Sequence, residues 1–414
     1  MNCNFRMRDK SSGNRYVTRI ICQLSFLVVV LAAVEAKAIP RFSLLTGTRC
    51  SACHFDPQGS GLRTELGWEM MNQTGLFQWH GEDTSISNET WMNGKLFPGG
   101  DARFQLVRVS HTNQELVIPM QLTASLGYMP SPELSAYTNI NLASLYVRSV
   151  TSPTDLFGTT SGLYPGETDY DATIDYHPSV TLPSIRIGMI EPSISIRQDD
   201  HTLFTHQEAA IQQLALIPPY YNEVGAELTY EGIRWLTVNA GIFNAKNLSQ
   251  IDPTIGSVSS SFDFSHPSLS GRVVLWPQSL EQGLNGELGG SVLINGSFRI
   301  LNAFTGIGLA DKATFFLEGM YSKDAAQRIV RNFSIIGSYE LTAWLALEWR
   351  YDWGMTELYP GQALAYATAF LAGFEFFPLP YIEIRPEYRV TDTNPFFGTG
   401  THVGQWTAQL HLFY

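Results

Sequence analysis

The chain has 414 residues, 26 Lys and Arg against 38 Asp and Glu, and a formal net charge of −12. That acidic balance excludes a nucleic-acid partner, since the phosphate backbone is held by basic side chains. Mean hydropathy is −0.04, and no apolar run after residue 38 reaches the about 20 residues of a transmembrane helix, which excludes a helical membrane protein.

Residues 1–38 read as a secretory signal. Arg6, Arg8, Lys10, Arg15 and Arg19 form a basic start, and Ile20 to Val34 is a short apolar run. Val34-Glu35-Ala36 and Ala36-Lys37-Ala38 each offer small residues for cleavage. A retained N-terminal anchor is the alternative. Residues 1–38 hold six Lys/Arg and two Asp/Glu, so 26 less six leaves 20 basic residues, 38 less two leaves 36 acidic ones, and the exported part carries −16. Such a charge attracts cations.

Residues 39–80 centre on Cys50-Ser51-Ala52-Cys53-His54. C-x-x-C-H is the attachment signature of c-type haem. Two thiols three residues apart can add to the two vinyl groups of one porphyrin. A histidine that follows at once lies under the ring, where its imidazole can bind the iron and set much of the redox behaviour. The chain has four cysteines, and the other two, Cys3 and Cys22, lie in the expected signal, so no disulfide framework surrounds the pair. A structural zinc site needs four ligands, and no second C-x-x-C or H-x-x-H is present. Arg41 to Thr48 is expected to give a short helix into Cys50. Leu62 to Asn72 has helical spacing, with Gly75 as its stop. Met70 and Met71 on that helix are the first candidates for the distal iron ligand, where a thioether raises the potential. His80 is the next. About forty residues cannot bury a full core, so this helical haem unit needs a host. Residues 81–96 read as a polar linker.

From residue 97 to 414 short apolar–polar alternations recur. Leu345, Leu347, Trp349, Tyr351 and Trp353 alternate with Glu348, Arg350 and Asp352. Ile382, Ile384, Tyr388 and Val390 alternate with Glu383, Arg385, Glu387 and Arg389. Period-2 patterning means strands with one apolar and one charged face, and fits either a soluble sandwich or a membrane barrel. The barrel is favoured by segments such as Ala363–Phe377, Val330–Glu340 and Gly404–Tyr414, long enough to cross a bilayer at a tilt. Aromatic residues make up 12% and charged residues 15% of the chain, a girdled, charge-poor composition that suits lipid. The fold class expected is therefore all-β: a transmembrane outer-membrane barrel of about 14–18 strands, with 16 favoured. Thr205 to Leu216 reads as a short helix after Asp199-Asp200-His201-Thr202, a loop that could fold into the lumen. Glu167, Asp169, Asp171 and Asp175 form an acidic patch expected in an external loop.

The final strand ends on Phe413-Tyr414, which resembles the assembly signal of bacterial outer-membrane proteins. A signal, one C-x-x-C-H and a barrel on one chain resemble the fused outer-membrane monohaem cytochrome–porin family, whose best-known members oxidise iron. The lead-in Pro40-Arg41-Phe42-Ser43-Leu44-Leu45-Thr46-Gly47-Thr48-Arg49 matches that family's. Gly59-Ser60-Gly61-Leu62-Arg63-Thr64-Glu65-Leu66-Gly67 resembles its less characterised branch. The resemblance implies haem c attached at Cys50 and Cys53 with His54 as proximal ligand, in a unit that plugs the barrel. It implies electron transfer between an extracellular donor or acceptor, Fe(II) among them, and a periplasmic cytochrome or other carrier. An iron:cytochrome c oxidoreductase activity goes with that reading. The alternatives are a solute porin with a structural or sensory haem plug, and a haem peroxidase with an open sixth position.

Overall fold

The structure, a computed structural model, describes residues 43–44, 47–56, 62–67, 90–110, 115–142, 168, 170–196, 203–206, 217, 221–252, 255–256, 258, 260–279, 283–309, 312–324, 326–358, 364–379, 381–396 and 398–413. The expected signal at 1–38 lies outside them. The strands of the first half are β1 (Leu96–Val109), β2 (Glu115–Ser131), β3 (Leu134–Asn141), β4 (Tyr170–Tyr176), β5 (Ser184–Ile190), β6 (Glu223–Ile233), β7 (Leu236–Phe243), β8 (Ser268–Leu275) and β9 (Gln278–Ser279). Those of the second half are β10 (Leu284–Asn295), β11 (Phe298–Leu309), β12 (Ala313–Lys323), β13 (Ile329–Thr342), β14 (Leu345–Glu357), β15 (Leu364–Leu379), β16 (Ile382–Asn394) and β17 (Thr401–Phe413).

Each strand pairs antiparallel with the next, and β17 returns to β1 with Asp101 opposite Phe413. The short β9 continues β8 past the kink at Trp276-Pro277, because both pair with β10. The sheet is thus a closed barrel of sixteen strands. Closure removes every unpaired edge, the condition for a sheet in lipid. Among the described residues no helix is long and apolar enough to span a membrane.

The direction of burial separates the barrel from a sandwich. On β14, Arg350 is 4% and Asp352 1% exposed, while Trp349, Tyr351 and Trp353 between them lie on the other face. Phe370 is 50% and Leu317 46% exposed, whereas Glu318 beside Leu317 is 2% exposed. Charged groups point in and large apolar groups point out along one strand after another. A soluble fold does the reverse, since its apolar face is what leaves water. The outward face is a surface made for hydrocarbon.

The period-2 reading holds for β13, β15, β16 and β17, each within a few residues of the expected segments. The acidic patch needs correcting. Asp171 and Asp175 lie on β4, not in a loop, with Tyr170, Ile174 and Tyr176 outward and Asp175 inward. The acids obscured the alternation because the inward face of a barrel strand is polar. Glu167 and Asp169 lie outside the described residues.

The ends of the barrel differ. The long connections 142–169, 191–222 and 244–267 all leave from one end. The other end carries short turns such as 234–235, 310–312 and 343–344, the start of β1 and the end of β17. The described parts of the connections after β5 and β7 fold into the lumen. Ile194, Ile217 and Tyr221, with Leu248 and Ile251 of α2 (Leu248–Ile251), cover the inward Leu293, Phe298, Ile300, Met320 and Val330 of the wall. Thr205 donates to Glu318 at 2.7 Å, Asn332 donates to the Phe204 carbonyl at 2.5 Å, and Phe204 packs on Ala367 and Ala369. The segment after β5 therefore crosses the lumen from β6 to β15. The expected strand over Ile185–Ile196 stops at Ile190 because residues 191–196 make this inward turn. Of the helix expected from Thr205 to Leu216, the described part is a 3-10 turn at Phe204–His206. Asp199, Asp200, His201 and Thr202 lie outside the described residues.

Candidate functional site

The C-x-x-C-H residues sit inside the short-turn mouth. α1 (Cys50–Cys53) is a single turn, closed by the His54 amide donating to the Cys50 carbonyl at 2.9 Å. One turn places residues three apart on the same face, so Cys50 and Cys53 share a side and His54 follows at the C-cap. The two cysteines are not disulfide-bonded.

Arg49, the N-cap, fixes this turn to the barrel. Its guanidinium donates to the carbonyls of Glu231 at 2.9 Å, Ile233 at 2.6 Å, Arg234 at 2.8 Å and Leu236 at 3.3 Å, on the β6–β7 turn. Ser51 adds a bond to the Glu231 carboxylate at 2.9 Å. A tight turn presents several carbonyls at once, and the forked donors of arginine match them. On the other side of α1 the chain doubles back. Phe55 N–H donates to the Leu62 carbonyl at 3.1 Å, Thr64 N–H to the Cys53 carbonyl at 3.0 Å, and the Thr64 hydroxyl to the Ala52 carbonyl at 2.9 Å.

Four apolar and ionic contacts seat the segment. Leu44, 1% exposed, joins Ile196, Val274, Trp276, Phe304 and Phe316, and its backbone oxygen lies 2.6 Å from where a side chain on Gly308 would begin. Glycine in a strand admits another backbone this closely. Burying one leucine so fully contributes about 1.5–3 kcal/mol. Phe55 and Leu62 pack with Phe97 and Tyr137, the Phe55 and Phe97 rings meeting edge-on at 5.3 Å. Asp56 lies 3.4 Å from Arg186, which is 1% exposed and also held by Glu227 at 2.9 Å. Arg63 lies over the Phe413 ring at 4.9 Å, which ties the segment to the last strand.

The electrostatics bear on what the sulfurs can do. Burial pushes the Cys50 thiol up to about 12, helped by Glu287 and Glu231 and opposed by Arg272. Burial also raises Cys53, against Arg63 and a hydrogen bond from Thr48. A thiolate for zinc or disulfide exchange needs the opposite environment. Among the described residues no three His, Cys, Asp or Glu side chains converge as a metal set, so Cys50, Cys53 and His54 are not arranged as ligands of one ion. Two sulfurs on one face with a histidine next in the chain are the donor types that a porphyrin bound by thioethers would take.

Of the sequence-derived site residues, the structure places Cys50, Cys53 and His54 together. Met70, Met71 and His80 lie outside the described residues. Two local expectations change. The lead-in helix does not run into Cys50: residues 43–44 are helical, but Gly47 at φ 62° and the extended Arg49 interrupt it. The helix expected from Leu62 begins no earlier than residue 65, because Arg63 bridges to His54 and Leu62 pairs with Phe55. Sequence reasoning missed Arg49, Asp56 and Arg63. An arginine abutting the motif was a signal for Arg49; the partners of Asp56 and Arg63 are far away in sequence.

No protein-family model matches the chain, and no curated protein matches it. Solved structures do match. The outer membrane channel DcaP of Acinetobacter baumannii is 10% identical, with 80% of this chain and 100% of that one covered and a TM-score of 0.54. OprB of Pseudomonas putida, in its high-pH structure, is 7% identical over 77% of this chain and 94% of that one, with a TM-score of 0.55. A loop L8 deletion mutant of OmpT, an outer membrane protein of Vibrio cholerae, is 10% identical over 77% and 99%, with a TM-score of 0.50. At these identities the likeness is one of fold. The chain has the architecture of an outer-membrane porin.

Proposed function

We propose that this chain is a bacterial outer-membrane barrel that carries one haem c in its short-turn mouth and exchanges single electrons there with a soluble periplasmic carrier. The observation that supports it is the placement of Cys50, Cys53 and His54 inside that mouth, locked by Arg49 to the β6–β7 turn. Short turns face the periplasm in such barrels, so the site opens toward periplasmic cytochromes. When bound, haem supplies one-electron chemistry at an iron tuned by its axial ligands. Cys50 and Cys53 hold the ring edge, and His54 provides the proximal nitrogen. Met70 or Met71 is the proposed distal ligand, with His80 the runner-up. Leu44, Phe55 and Leu62 exclude water from the seat. The long-loop end faces the extracellular donor or acceptor, with Fe(II) among the substrates its acidic balance suits.

The fold comparisons taken alone favour a second reading: a solute porin in which the haem-bearing segment is a structural or sensory plug. A sixteen-strand wall is wide enough to leave a lumen, and the DcaP likeness is to a channel. One experiment separates the two. The detergent-extracted protein is titrated with Fe(II), and with a periplasmic-type cytochrome c, while the α-band is followed; the same sample is then placed in a planar bilayer. Electron exchange predicts a c-type band that responds to either partner and a low conductance. A large steady conductance with a redox-silent band favours the porin.

A further inference from the structure

Glu287, inward on β10, is 5% exposed, and its Oε1 atom has no hydrogen-bond partner. A buried carboxylate oxygen left without a partner is costly unless another group answers it. Its neighbour across the sheet is Gly306, against which Leu44 packs, and this sets Glu287 at the level of the Cys50 segment. The cation that acts on it is Arg272 of β8, but Arg272 is turned to other partners: its Nε donates to the Ser195 carbonyl at 3.1 Å and its guanidinium lies over Phe304 at 5.1 Å. Arg272 therefore acts on Glu287 through space without bonding it. The other titratable groups facing this pocket are Glu318 from β12, Cys50 from α1, and Glu227 and Glu231 from β6.

We propose that Glu287 is a proton acceptor coupled to electron transfer at the Cys50 side of the mouth. This rests on the haem reading above. As one electron arrives from a one-electron donor, Glu287 takes one proton from water and passes from carboxylate to carboxylic acid. The charge of the pocket is then the same before and after. The coupling follows from Coulomb's law: in a low-dielectric site an added negative charge within about 10 Å raises a carboxylate's proton affinity by tenfold or more.

The test is a spectroelectrochemical titration of the full-length, haem-loaded protein in detergent, from pH 5 to 9. The wild type is expected to show a midpoint potential that falls with pH, toward about 59 mV per tenfold change in proton concentration, the value for one proton per electron. Glu287→Gln is expected to flatten that slope while keeping the α-band, and Glu287→Asp to keep the slope with a displaced window. A flat wild-type profile overturns the proposal, as does a slope unchanged in Glu287→Gln. Where Glu287→Gln fails to load haem, an undisplaced window in Glu287→Asp overturns it. A wild-type protein with no c-type band overturns the haem reading itself, a different result from a band with a flat profile.

Discussion

At the scale of single residues, the seat depends on a few charged side chains whose partners are hundreds of positions away. Arg49 bonds four carbonyls of one turn. A bond from a charged donor contributes about 1.5–3 kcal/mol, so Arg49→Ala is expected to loosen the segment by about 2–4 kcal/mol, allowing for shared geometry. Limited proteolysis from the short-turn side then cuts between residues 43 and 67 faster, while the barrel stays intact. Asp56→Asn is expected to be milder than Arg186→Gln, because Arg186 keeps Glu227 whereas loss of Arg186 strands buried carboxylates. Chemical denaturation of refolded barrels orders the two.

The thiols give a second residue-scale prediction. In protein made without haem, Cys50 at about 12 carries on the order of a thousandfold less thiolate at pH 8 than an ordinary cysteine. Iodoacetamide with mass spectrometry should find Cys53 alkylated well before Cys50, and equal rates contradict the raised Cys50 thiol. The folded value lies above the ordinary 9.0. The stability this contributes to the apo form is therefore fully present below about 9 and lost as pH rises toward 12. The motif itself was legible in the sequence because its spacing is local and chemical. Its anchors were not: nothing in the row of residues pairs Arg49 with Glu231 or Asp56 with Arg186.

At the scale of elements, alternation made the C-terminal strands readable and concealed β4. On β14 and β16 the inward residues are charged in both signs, so the pattern stands out. On β4 two of the three inward residues, Asp171 and Asp175 on either side of Thr173, are acids, which taken alone resemble a loop. The same geometry predicts an inversion of the usual rule for substitutions. Phe370→Arg, on the lipid face, is expected to cost about 2–4 kcal/mol near the bilayer midplane, measured by folding into lipid vesicles. Gly308 offers a cleaner probe of the seat. An alanine there suits the strand, but its Cβ lies 2.6 Å from the Leu44 oxygen. Gly308→Ala is expected to leave the heat-modifiable gel mobility of the barrel unchanged while raising its conductance. An unchanged conductance would place Leu44 elsewhere.

At the scale of the whole molecule, the barrel and its contents follow from one constraint: each backbone polar group in lipid must be paired within the wall. Closure between β1 and β17 meets it. The lumen then takes in chain that could not form a core alone, from the short-turn end the described residues between 43 and 67 and from the other end the described parts of the connections after β5 and β7. The strand count was within reach of the sequence because turns recur at regular spacing. Inward folding of the loop after β5 was an option the sequence offered, but its seating was not legible, because it depends on partners such as Glu318 and Asn332 on the far wall.

The central claim is that a covalent haem c and a closed barrel belong to one chain. The most direct measurement is haem-stained denaturing electrophoresis of the exported protein, run with and without heating, beside a Cys50→Ala/Cys53→Ala variant. The expected result is peroxidase-positive haem that stays with the heat-shifted band of the wild type and disappears from the variant, with the barrel's mobility shift unaltered. A wild-type barrel that shifts on heating but carries no stain, with both thiols free to alkylate after denaturation, would contradict the claim and leave a porin.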